Sequence, residues 1–409
     1  MYRLRLVFML TIASLAAVAQ SKNGEIVIGK TDSLYSTILK ENRKIWVYVP
    51  NQGSMDPGRL NQRFPVVYLL DGDGHFHSVT GLIQQLSQVN GNTNVPEMIV
   101  VGIPNTDRFR DLTPTFTDRM PFPGKPPGSA GGGEAFTAFI EKELMPHIDS
   151  LYPTAPYKIM IGHSLGGLMV VNTLIHHPKL FNGYIAIDPS LWWHDQKLLK
   201  ESATALRTND YAGRSLYLGI ANTLPAKMDT VKMKKDTSSA AIHPRSIFAF
   251  RDLLRKGPVN GLRWSSRYYP DDTHGSVPLI TAYDGLRFIF NVYKSDLMNR
   301  FEDSTFDFTS ALTAYYKKIS VSMGYEVKPP EGIVNSLGYG MIEQKRFDQA
   351  RRLFVLNTES YPTSANTFDS LGDLYVATND KAKAMEAYEK ALALFENSVT
   401  REKLEKLKK

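Results

Sequence analysis

Lys158-Ile159-Met160-Ile161-Gly162-His163-Ser164-Leu165-Gly166-Gly167-Leu168-Met169 is the stretch that decides the fold. A short apolar run ends at Ile161, a G-x-S-x-G pattern spans Gly162 to Gly166, and a helical stretch continues to the break at Pro178. The bare pattern arises by chance in about one chain in eight of this length. Its setting between a buried strand and a helix gives it weight, because that is the arrangement of a nucleophile elbow. A turn this tight forces Ser164 into strained backbone, and glycines at 162 and 166 let strand and helix approach without a Cβ collision. The hydroxyl is then presented at the C-terminal edge of a sheet. The helix start supplies free N–H groups and partial positive charge, so the Leu165 N–H is a candidate donor to a developing oxyanion.

Outward from this segment, short apolar runs alternate with helical stretches. The runs are 65–70, 98–103, 158–161, 183–187, 216–220 and 263–269. Continuous apolar strands predict a parallel sheet covered on both faces, and the alternation predicts the α/β class. Before them, 25–51 reads as two antiparallel strands, with charged or aromatic residues alternating with apolar ones from Arg43 to Val49. The Pro- and Gly-rich stretch 120–133 reads as a loop.

A serine hydroxyl needs a general base. Of nine histidines, His274 follows the last predicted strand and precedes a helix starting near Ser276 and Pro278, where a base for Ser164 would sit. Chain order in such sites runs Ser, acid, His, which confines the acid to residues between 164 and 274. The loop after 216–220 is the expected source. Asp229 is its first carboxylate and Asp236 the next, with Asp188, after the preceding strand, as the alternative; a Ser–His dyad without an acid is also open. A second oxyanion donor is expected from Asp71-Gly72-Asp73-Gly74-His75, with the N–H of Gly72 or Asp73 as candidate. Asp71 and Asp73 lack the later Glu of a calcium loop, and His75 and His77 have no evident third ligand, so neither a metal nor a cofactor is expected. Trp192 and Trp193 could line a substrate pocket or fill the core. Arg108 or Arg110 could hold an anionic or polyhydroxyl substrate or form an ion pair with Asp107 or Asp111.

The ends of the chain have other roles. Arg3 and Arg5, an apolar run from Leu6 to Ala16, and Ala17-Val18-Ala19 read as a secretory signal over 1–19 with cleavage before Gln20. Export permits disulfides, but the chain has no cysteine, which also excludes lipoprotein anchoring and thiolate chemistry. The formal charge of +7 falls to +5 without Arg3 and Arg5, and it is dispersed. Nucleic-acid binding is not expected, nor is a membrane anchor.

Near residue 300 the strand-like runs stop. A period of 34 then appears: Leu337-Gly338 recurs as Leu371-Gly372, Ala350 as Ala384, Phe354 as Tyr388 and Tyr361 as Phe395. This resembles the tetratricopeptide repeat. Two copies are fewer than the usual three, so either a helix around Ser310 to Met323 is expected beside them or the array is expected to lean on the catalytic domain. The expected division is 1–19, 20–298 and 299–409, with a possible protein partner for 326–398.

The segments Leu69-Leu70-Asp71-Gly72, Arg110-Asp111-Leu112-Thr113-Pro114, Gly162 to Gly167, Asp188-Pro189-Ser190-Leu191-Trp192-Trp193 and His274 span roughly 25–295. Together they resemble the esterase family of α/β-hydrolases. That family includes siderophore (enterobactin-type), feruloyl and acetyl-xylan esterases, S-formylglutathione hydrolases and mycolyltransferases; the likeness is greatest to its siderophore-esterase branch. The resemblance implies an α/β-hydrolase fold followed by an all-α helical extension. It implies Ser164 as nucleophile and His274 as base, acting on a small-molecule, carbohydrate or siderophore ester. The acid varies in the family, which leaves Asp229 open. Transfer of the acyl group to an alcohol, or a scaffold role through the helical arm, are the alternatives.

Overall fold

The computed structural model describes residues 26–50, 62–120 and 128–409. The expected signal segment and part of the 120–133 loop lie outside the described residues. The chain divides into two compact units, with the boundary between Tyr293 and Lys294.

The first unit is built on one eight-stranded sheet in the order β1-β2-β4-β3-β5-β6-β7-β8. The strands are β1 (Lys30–Ser36), β2 (Glu41–Tyr48), β3 (Phe64–Leu70), β4 (Ile99–Ile103), β5 (Thr154–His163), β6 (Gly183–Ile187), β7 (Ser215–Ala221) and β8 (Arg263–Tyr269). β1 and β2 form the expected antiparallel pair, and β2 runs antiparallel to β4. The remaining six are mutually parallel. Every residue of β3, β4, β6 and β7 is buried, as strands covered on both faces must be.

The helices of this unit are α1 (Gly72–Ser87), α2 (Arg108–Leu112), α3 (Gly133–Phe139), α4 (Met145–Leu151), α5 (Leu165–His176), α6 (Trp193–Thr208), α7 (Thr230–Lys235), α8 (Ile242–Lys256) and α9 (Val277–Ile289). α5 is buried from Leu165 through Ile175. A helix apolar on all sides belongs at the centre of a layer, and this one fixes the serine turn that precedes it.

The second unit is all-helical: α10 (Phe308–Met323), α11 (Glu331–Glu343), α12 (Phe347–Ser360), α13 (Ala365–Ala377), α14 (Lys381–Leu394) and α15 (Ser398–Lys408). The sequence period is visible as helix starts at 331 and 365, and at 347 and 381. Gly338 lies against the Phe354 ring and Gly372 against the Tyr388 ring, so a Cβ at either glycine would meet the aromatic. Ala350, Phe354, Ala384 and Tyr388 are fully or nearly fully buried. No helix among the described residues is long and apolar enough to cross a membrane.

Candidate active site

Ser164 occupies the one-residue turn between β5 and α5, with φ 58° and ψ −113°. This is strained backbone for a residue with a side chain. It is held by three main-chain bonds. The Ser164 N–H donates to the Ile187 carbonyl at 3.0 Å, and the Ser164 carbonyl accepts from Leu168 N at 2.9 Å and Ser190 N at 3.0 Å. A Cβ at Gly162 would run into the Gly166 carbonyl, and one at Gly167 would come 2.9 Å from the Ile187 carbonyl. The glycines therefore permit the close passage of α5 over the ends of β5 and β6. Leu165 opens α5, so its N–H precedes the first bond of that helix. Gly72 and Asp73 open α1 in the same way, after Asp71 in the left-handed region (φ 52°).

His274 lies in the turn between β8 and α9, as expected. Its Nδ1 is 2.6 Å from Asp188 Oδ2. Asp188 follows β6, is wholly buried and has φ 41°. Its Oδ1 accepts from Ala221 N at 2.9 Å, and its Oδ2 is also 2.8 Å from His243 Nε2. Burial pushes the carboxyl pKa up, but the bonds from His243 and His274 outweigh it and hold the group well below the usual carboxylate range.

The expectation for Asp229 is corrected here. Its carboxylate caps α7, accepting from Val231 N at 2.9 Å and Lys232 N at 2.7 Å, and it is 59% exposed. The end of β7 contributes instead the Ala221 N–H that anchors Asp188. Asp188 precedes a proline at the end of a wholly buried strand, the setting in which a carboxylate must be paired.

His163, beside the serine, was not singled out by sequence. Its ring centre lies 4.4 Å from that of His274 and 5.8 Å from that of His75. Its buried Nε2 has no hydrogen-bond partner among the described residues. Burial, with repulsion from His274 and His75, lowers its pKa to about 4, so it is neutral at ordinary pH. Asp71 is not a calcium ligand in waiting: Arg108 grips it through Nε to Oδ1 at 2.7 Å and Nη2 to Oδ2 at 3.0 Å, and Asn105 Nδ2 donates to Oδ1 at 2.7 Å.

Asp188, His243 and His274 offer ligand-type atoms within 4.8 Å of one another. A zinc ion about 2.1 Å from each would need N···O separations of roughly 3.4 Å. The observed contacts of 2.6 and 2.8 Å are direct N–H···O bonds.

The family model described as "Putative esterase" matches residues 36–222. The crystal structure of an IroE-like serine hydrolase from Shewanella oneidensis is 31% identical, with a TM-score of 0.68, covering 81% of this chain and 99% of that one. The chain belongs to the esterase family, in its siderophore-esterase branch. The siderophore enterobactin esterase of Emericella nidulans is 28% identical over 55% of this chain and 82% of its own. The ferri-bacillibactin esterase BesA of Bacillus subtilis is 33% identical over 40% of this chain and 59% of its own. This esterase is thus an ester-hydrolysing serine hydrolase with the α/β-hydrolase fold and a helical C-terminal region.

The remaining candidates fall as follows in the esterase. Trp193 is 2% exposed, and its indole N–H donates to the Thr115 carbonyl at 2.9 Å, which makes it a wall of the core. Trp192 is partly buried, its ring 5.7 Å from that of Trp193. Arg110 is not available to a substrate in this arrangement. Its Nη1 and Nη2 bond Glu41 at 3.0 and 2.6 Å, and its Nε bonds Asp111 at 2.7 Å. Asp111 in turn pairs with the buried Arg43 at 2.5 Å. This network of two arginines and two carboxylates ties α2 to β2.

Proposed function

We propose that the esterase cleaves a siderophore-type carboxylic ester through an acyl-enzyme on Ser164. The carrying observation is the 2.6 Å contact between His274 Nδ1 and the buried Asp188 carboxylate, in the strand-end cluster that also binds the Ser164 main chain. A carboxylate only accepts, so His274 carries its proton on Nδ1 and leaves Nε2 as a lone pair. His274 takes the Ser164 hydroxyl proton as Oγ attacks the ester carbonyl. Asp188 stabilises the resulting imidazolium. The N–H of Leu165, joined by that of Gly72 or Asp73, receives the oxyanion. The alcohol leaves with the His274 proton, and water, activated by the same histidine, releases the acid. Trp192 is proposed to border the substrate, whereas Arg110 is taken up by Glu41 and Asp111.

The substrate class is supported by the two relatives at 28% and 33% identity, an enterobactin esterase and a ferri-bacillibactin esterase. The signal-like segment 1–19 supports export, and the helical arm over 326–398 is proposed to meet a protein partner. The test is an ester panel running from short nitrophenyl esters through feruloyl and acetyl-sugar esters to catecholate siderophore esters, beside Ser164→Ala and a fluorophosphonate probe. Turnover highest on the siderophore ester, with labelling and turnover abolished in Ser164→Ala, is expected. Undiminished turnover in that variant would refute the mechanism. Preference for another ester would refute the substrate class alone.

A further inference from the structure

Asp188 serves two histidines. His243 lies in the first turn of α8, with its side chain 14% exposed. Its Nε2 is 2.8 Å from the same Oδ2 that His274 Nδ1 approaches at 2.6 Å. The two rings stand nearly perpendicular (86°) with centres 5.1 Å apart. Since the carboxylate only accepts, His243 must be protonated on Nε2 to form this bond. It cannot offer that nitrogen to Ser164 at the same time, so it is not a spare base.

Its effect is on Asp188. The carboxylate receives one donor on Oδ1 and two on Oδ2. Those three donors fix the rotation of its carboxyl plane. Without His243, Oδ2 in a water-excluded site would retain a single donor, and the plane could turn away from His274. Charge-assisted bonds of this kind are the strong and directional ones, and partners that orient the first contact group are worth about 10–100-fold where they have been measured in metal sites.

We propose that His243 is a second histidine of the centre, a positioning residue that shares Asp188 with His274 and locks the carboxylate toward the base. The inference rests on the reading of Ser164, His274 and Asp188 given above. It also gives the segment after β7 a function: through His243, the start of α8 is fastened to the acid rather than merely covering the sheet.

The experiment compares His243→Phe, which keeps ring bulk without a donor, with His243→Gln, whose amide N–H reaches the Nε2 position, and His243→Asn, whose shorter amide does not. With nitrophenyl acetate as probe, His243→Phe and His243→Asn are expected to lose about 10–100-fold in kcat with KM within about twofold. His243→Gln should recover to within about threefold of the parent. The downfield proton resonance of the His274–Asp188 bond should weaken in Phe and Asn and persist in Gln. Unchanged kcat in Phe and Asn overturns the inference. So does equal loss in all three, which would mark a packing role. If Phe does not fold, the Gln and Asn pair decides. Ser164→Ala and His274→Ala run alongside: turnover in either refutes the parent reading, whereas their inactivity with normal His243 variants refutes only this one.

Discussion

Replacing Asp188 by Asn keeps the shape of the group and removes its charge, which makes it the sharpest probe of the centre. In the proposed mechanism an imidazolium forms as His274 takes the Ser164 proton. The contact of 2.6 Å between Nδ1 and Oδ2 puts the two charge centres about 4 Å apart, so at an effective dielectric of ~20 their attraction is about 4 kcal/mol. Because it arises on the way to the transition state, nearly all of it should appear in turnover, as a fall of roughly 1,000-fold in kcat/KM. Asp229→Asn should stay within about twofold, because asparagine caps a helix as well as aspartate does. Both variants would be assayed on a nitrophenyl ester at pH 8 and by the rate of fluorophosphonate labelling, with circular dichroism to verify folding. If folded Asp188→Asn kept kcat/KM within about tenfold, or Asp229→Asn fell as far as Asp188→Asn, the electrostatic argument would be wrong.

Two further outcomes are expected. His163 has a folded pKa of about 4 against about 6.5 unfolded. The unfolded chain therefore binds a proton that the folded one refuses as pH drops from 6.5 to 4, and stability is lost over that window, by about 3 kcal/mol at its lower end. Urea unfolding from pH 7 to 4.5 should be less pH-dependent in His163→Phe than in the parent; equal dependence would show that this ring does not titrate as argued. The mature protein recovered from an exporting host should begin at Gln20, and Edman sequencing that instead finds Met1 on the exported chain would overturn the signal reading.

Much of the fold could be read from runs of apolar residues. All six parallel strands appear within a few residues of their expected positions; β3 to β7 do so because covered strands leave a largely apolar trace, whereas the edge strand β8 carries two arginines and two serines and is only partly buried. The placement of Ser164 and His274 was legible through local grammar: glycines around a strand–helix turn, and a histidine after the last strand. Asp188 was harder. Chain order admits any carboxylate between serine and histidine, and what separates Asp188 from Asp229 is burial, a tertiary property. His243 left no trace at all. It sits in a helix with Arg245, Arg251, Arg255 and Lys256, which reads as a solvated face. Arg108 and Arg110 flank the same phenylalanine, and only the fold assigns one to Asp71 and the other to Glu41.

The end of β6 also has a mechanical consequence. Ile187 receives the serine amide, Asp188 follows it in the chain, and Ser190 grips the serine carbonyl. The proposed nucleophile and acid therefore ride on one block, and any sliding of β6 carries both along. The base arrives from a different quarter, on the turn leaving β8. Misalignment in this machine must enter from the imidazole side, and the shared carboxylate is the hinge pin that opposes it.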